Sequence, residues 1–115
     1  MKKKIDTTGI FIFHEDQYIV PRRTAAVKVT QHYSGGMVVS VGMAVPGKKD
    51  IFCRRIGRAI AIGRLTCTRK QLTEKYMLEI PIAQTLKSTT DQVHCIKGIL
   101  IEQYNFHFSD STENQ

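Results

Sequence analysis

An α+β fold is expected, with an antiparallel β-sheet of N-terminal hairpins and a C-terminal strand packed on one main basic helix. Three observations predict it. Residues 27–45 alternate their side chains between two faces on either side of a glycine-rich turn, the period of a β-hairpin. Residues 48–70 repeat apolar groups at helical spacing and carry a net charge equal to that of the whole chain. The remaining apolar residues fall in short runs with neither an internal repeat nor a linker, which leaves one layered domain. A length of 115 residues with 42% hydrophobic content suffices for one modest core. The domain is placed at residues 1–108, and the polar segment 109–115 is expected to be a flexible tail.

Residues 9–14 and 18–20 are rich in Ile, Phe, Tyr and Val and are expected to be two strands joined by the polar turn His14-Glu15-Asp16-Gln17. Pro21 lacks a backbone donor and ends the second of them or places it at an edge. Val27, Val29, Gln31 and Tyr33 then share one face, with Lys28, Thr30 and His32 on the other. After Ser34-Gly35-Gly36, a second alternation from Met37 to Val45 pairs antiparallel with the first.

Pro46-Gly47 stops that strand, and a helix is expected to open near residues 48–50, with the Asp50 carboxylate beside its free N–H groups. At 100° per residue, Phe52, Ile56, Ala59 and Gly63 fall within about a 60° sector and form the expected core face. Arg54, Arg55 and Arg58 project elsewhere and need an anion or acids to offset their repulsion. Gly57 and Ala61 make a smooth ridge on which another backbone, a second subunit or a ligand can approach closely. Arg64 lies on the side of Cys53 and Gly57, and is the arginine expected at a subunit contact or a pocket built across one.

Thr68-Arg69-Lys70-Gln71 resembles a capping box and suits a second, short helix, after which residues 76–82 suit a strand ending at Pro81. Residues 87–92 read as a loop. Residues 93–108 are expected to contain the final strand, with Ile99, Ile101, Tyr104, Phe106 and Phe108 in partial alternation.

Several function classes find no motif. There is no Gly-x-Ser-x-Gly elbow, no Gly-x-x-x-x-Gly-Lys-Ser/Thr loop and no His-Glu-x-x-His pair. Catalysis, a metal and a cofactor are therefore not expected. His14, His32, His94 and His107 are scattered over different predicted strands, and His94 and Cys95 point to opposite strand faces. Cys53, Cys67 and Cys95 lack zinc or redox spacing and are expected as reduced, partly buried thiols. The apolar run at residues 10–13 is too short for a signal sequence or a membrane span, so a cytoplasmic protein without a membrane partner is expected.

The sharpest signal is electrostatic. Residues 48–70 carry eight cations against Asp50 alone, a net +7 that equals the charge of the whole chain. Guanidinium groups bind phosphate bidentately, so Arg54, Arg55, Arg58 and Arg64 are the candidate phosphate-binding residues. The alternative is a solvated basic face, or pairing with Glu74, Glu79 and Glu102. Tyr104 and Phe106 offer rings to stack on a base and Asn105 an amide to read its edge, although core packing is the commoner fate of such rings. Tyr18, Tyr33, Arg22 and Arg23 are further candidates of the same kind.

Residues 49–65, KDIFCRRIGRAIAIGRL, resemble small phage and prophage proteins with an Asp-x-Phe-x-Arg-Lys/Arg-x-Gly-Arg-x-Ile-Ala-x-Gly-Arg helix. The segment also resembles the Thoeris anti-defence sponge proteins. That resemblance implies a homo-oligomer that binds a nucleotide-derived immune signal, a cyclic ADP-ribose isomer or a cyclic oligonucleotide, without hydrolysing it. A nucleic-acid-binding protein and an inhibitor docking on an acidic protein surface are the rival expectations.

Overall fold

The structure, a computed structural model, describes residues 9–31, 35–47, 52–66, 76–83 and 86–108. The chain runs β1 (Ile10–His14), β2 (Thr24–Gln31), β3 (Met37–Ala44), α1 (Arg54–Leu65), β4 (Met77–Ile82) and α2 (Thr89–Tyr104). The fold is α+β, as the sequence predicts. Its four strands form an antiparallel sheet in the order β1-β2-β3-β4, each strand beside its neighbour in sequence.

The predicted hairpin is the centre of this sheet, with Val27 opposite Val41 and Gln31 opposite Met37. Its turn uses Gly35 and Gly36 at φ +98° and +73°, a region that side chains with a Cβ rarely enter. Alternation along the strands then sorts two cores. On one face, Ala25, Val27, Val39, Val41 and Met43 pack with Ile96, Leu100 and Phe106 from α2 and the segment after it. On the other, Ala26 and Ala44 pack with Ala61 and Ile62 of α1, bordered by Ile10, Ile12 and Leu65. The sheet is thus covered on both faces, each by one helix.

Five expectations are corrected. Residues 18–20 are not a strand; they form a turn in which the Asp16 carboxylate accepts the Tyr18 N–H at 2.9 Å and the Asp16 carbonyl accepts that of Ile19 at 3.0 Å. This local bonding competes with strand pairing, as aspartate turns do. The partner of β1 is instead β2, with His14 opposite Thr24.

The helix α1 begins at Arg54, later than residues 48–50. Its sheet face is not Phe52, Ile56, Ala59 and Gly63. Ile56 is 59% exposed, Ala59 and Gly63 are also exposed, and the ridge of Gly57 and Ala61 meets the sheet. The reason is backbone proximity. Gly42 of β3 leaves its Cβ position to the backbone of Ala61 and Leu65, so α1 seats Gly57 and Ala61 close to the sheet and adds dispersion between backbones to the burial of Ile62. The close approach read from Gly57 and Ala61 is therefore made to the chain's own sheet.

Residues 93–104 are helix rather than strand, and among the described residues no strand follows β4. The Ser88 hydroxyl accepts the Asp91 N–H at 3.0 Å, an N-cap hidden in the expected loop, and Ile96 and Leu100 form the buried stripe. Asn105 ends α2 in the left-handed conformation, its N–H bonding the Ile101 carbonyl at 2.9 Å. Residues 77–82 form β4, where Pro81 is tolerated because this is an edge strand.

Finally, Cys53 is exposed rather than partly buried, while Cys95 is half-buried; both are free thiols. Expectations that rest on His32, Tyr33, Ser34, Asp50, Cys67, Glu74, the box at residues 68–71 and the tail at 109–115 lie outside the described residues.

Candidate functional site

The site is built where α1 starts. Cys53 occupies the N-cap in an extended conformation, its side chain makes no capping bond, and no acid stands in the first turn. Arg54 and Arg55 occupy that turn instead, with Arg58 one turn further on. Amides at the start of a helix have no partner inside it and present partial positive charge, so three guanidinium groups here reinforce the helix dipole rather than offset it.

These arginines stand over the end of β1. Arg54, Arg55 and Arg58 enclose with Ile12 and His14 an open hollow of about 430 Å³. Strand alternation puts Ile12 and His14 on the α1 face of the sheet. His14 is fixed from two sides. Its Nδ1 lies 2.7 Å from the Thr24 hydroxyl, and its ring meets Phe52 edge-to-face at 5.5 Å between centroids.

Burial, followed by the charges of Arg54, Arg22 and Arg58, lowers the pKa of His14 from 6.5 to about 4. The imidazole is therefore neutral at pH 7, and it feels the charges of Arg54 and Arg58 from the hollow and of Arg22 from outside it. Among the described residues, no carboxylate lies within 4 Å of Arg54, Arg55 or Arg58. The described ion pair belongs to Arg23 and Glu15, at 2.7 Å.

The other predicted site residues are elsewhere. Arg64 points away from the trio; its Nη1 donates to the Met43 carbonyl at 2.8 Å and its guanidinium lies 4.4 Å over the Tyr76 ring. Tyr104, Asn105 and Phe106 belong to the α2 side. Phe106 is buried in the core with only 3% of its surface exposed, Asn105 terminates the helix, and the carbonyls of Tyr104 and Asn105 accept Arg23 Nη2 at 2.9 and 3.3 Å.

The expected union of rings, amide and arginine trio is thus not formed, because a helix occupies the place predicted for a strand. Tyr104 and Asn105 share a separate hollow of about 360 Å³ with Arg23 and His107. Arg23 is already bound to a carboxylate there. Glu15 is fully buried, and burial raises its proton affinity, but hydrogen bonds from the Arg23 side chain and from the His107 and Arg23 amides outweigh this and lower its pKa.

In the sequence His14 is one of four scattered histidines, and Ile12 is only a strand residue. The signal that finds both is β-register: pairing His14 with Thr24 places that histidine beneath the start of α1. Among the described residues, no group of three His, Cys, Asp or Glu side chains is placed to hold a metal ion, and no helix is long and apolar enough to cross a membrane. Compared with protein-family models, curated proteins and solved structures, the chain matches none.

Proposed function

We propose that this protein binds a phosphate-bearing, nucleotide-type ligand through Arg54, Arg55 and Arg58 and holds it without transforming it. One observation carries the reading: three arginines and a neutral histidine converge on one open hollow that no described carboxylate lines. Guanidinium groups in this arrangement present paired N–H donors to phosphate oxygens, and His14 adds a ring that the same anion would make easier to protonate.

The nucleotide part of the proposal, and its use as a counter-defence sponge in a phage-infected cell, rest on the resemblance of residues 49–65. Arg64, Tyr104, Asn105 and Phe106 are outside the proposed phosphate site. Calorimetric titration with cyclic dinucleotides, cyclic trinucleotides, cyclic ADP-ribose isomers and pyrophosphate tests the proposal. Saturable binding that Arg58→Glu abolishes supports it, and silence across the whole panel ends it.

A nucleic-acid backbone is the second reading, favoured by the exposure of all three arginines on one flank of a helix. A salt series separates the two. Binding to a long polyanion weakens steeply with salt through counterion release, whereas a compact ligand releases few counterions.

A further inference from the structure

A second concavity lies on the opposite flank of α1. It measures about 370 Å³, and its walls include Val45, Pro46, Phe52, Ile56 and Ile60. Ile56 is 59% exposed and Ile60 42% exposed, although the same helix buries Ala61 and Ile62 against the sheet. An apolar pair one helical turn apart is thus left facing a hollow.

The hollow is not uniformly apolar. Arg22 and Arg64 both line it, and none of its described lining residues is acidic. Arg22 is held by stacking, with its guanidinium carbon 4.1 Å from the Phe52 ring centroid, and by donation from Nε to the Glu15 carbonyl. Among the described residues no partner engages the Nη1 and Nη2 edge, the pair that grips a carboxylate end-on. Arg64 has committed Nη1 to Met43 and supplies field rather than a second fork.

The geometry points to a binding site for a small aromatic carboxylate or sulfonate, with its ring between Ile56 and Ile60 and its anionic group on Arg22. Volume and shape favour a small molecule, since about 300–1,000 Å³ is the usual range for such sites. The apolar walls disfavour a polyphosphate, whose desolvation they would leave uncompensated, and the two cations disfavour an amine. A second copy of the chain is disfavoured by the net charge of +7 that both partners would bring. This site is separate from the phosphate hollow and does not depend on it.

Titration of the protein with 2-naphthoate and with its uncharged analogue 2-naphthamide, read by calorimetry and by amide chemical shifts, tests the inference. The acid is expected to bind one to one, at least tenfold more tightly than the amide, with shifts centred on Ala44, Ile56 and Ile60. Ile60→Glu should weaken it at least tenfold while leaving pyrophosphate affinity unchanged, and Arg22→Gln should remove the preference for the acid over the amide. Equal binding of acid and amide, indifference to both substitutions, or the absence of saturation overturns the inference. So does a concentration-dependent dimer, seen by sedimentation, that Ile60→Glu dissociates.

Discussion

Gly57 of α1 lies directly against Thr24 of β2, so close that a Cβ at position 57 would come within 2.7 Å of the Thr24 hydroxyl. That hydroxyl is the group bonded to His14. A single absent methyl therefore sets both the seating of the helix and the orientation of the imidazole at the candidate site. Gly57→Ala is expected to turn Thr24 aside and break the His14 contact, seen as a displaced His14 ring resonance and a changed titration midpoint. An unmoved resonance would separate the two features.

The same logic gives opposite signs at two other glycines. A Cβ at Gly42 would collide with the backbone of Ala61 and Leu65, which cannot rotate away, so Gly42→Ala should destabilise by about 3 kcal/mol. Gly63 faces open space on the outer side of α1, and Gly63→Ala should stabilise by about 1 kcal/mol through helix propensity. Urea denaturation of the two variants checks the pair.

Acid should weaken the fold through His14. Its folded pKa is about 4, below the unfolded 6.5, so the unfolded chain binds the proton first. The associated stability is complete above pH 6.5 and is lost as pH falls towards 4. Because His14 is only half-buried, solvent screening reduces the effect to about 1 kcal/mol. Unfolding midpoints at pH 7 and pH 4.5 should converge in His14→Gln relative to the parent.

Glu15 joins three parts of the chain. Its carboxylate accepts Arg23 Nε at 2.7 Å, Arg23 Nη2 at 2.9 Å, the Arg23 amide at 3.0 Å and the His107 amide at 2.9 Å. Glu15→Ala strands these donors and should cost about 3 kcal/mol. Hydrogen exchange should rise first at residues 106–108, the segment this carboxylate ties down.

Arg64 and Arg58 should separate stability from binding. Arg64→Met leaves the Met43 carbonyl unpaired and should cost about 1 kcal/mol while sparing pyrophosphate affinity. Arg58→Ala, at an exposed position, should do the reverse, with near-parental stability and roughly tenfold weaker pyrophosphate binding.

The central hairpin was legible because strict alternation from Val27 to Val45 admits only one pairing that buries the valines. The arginine trio was legible because its members are close in sequence on a helix. The face of α1 was not, since side-chain apolarity favoured Ile56 while the docking surface is decided by Gly42, a strand residue with no sequence mark of its partnership. At the C-terminus, the run Ile99-Leu100-Ile101 imitates a strand; the deciding clues were the Ser88 cap and the spacing of Ile96 and Leu100. His14 needed the register with Thr24, information that exists only between strands.

The meander of four consecutive strands keeps most pairing local, whereas the bond from the His107 amide to Glu15 spans 92 positions. During synthesis the ribosome releases β1 and β2 long before residue 107 leaves the exit tunnel. A nascent chain can therefore zip its sheet early, but the Glu15 carboxylate receives its last donor only after residue 107 has emerged. The same carboxylate reports whether the segment after α2 is docked: with His107 displaced, a buried acid is left one hydrogen bond short.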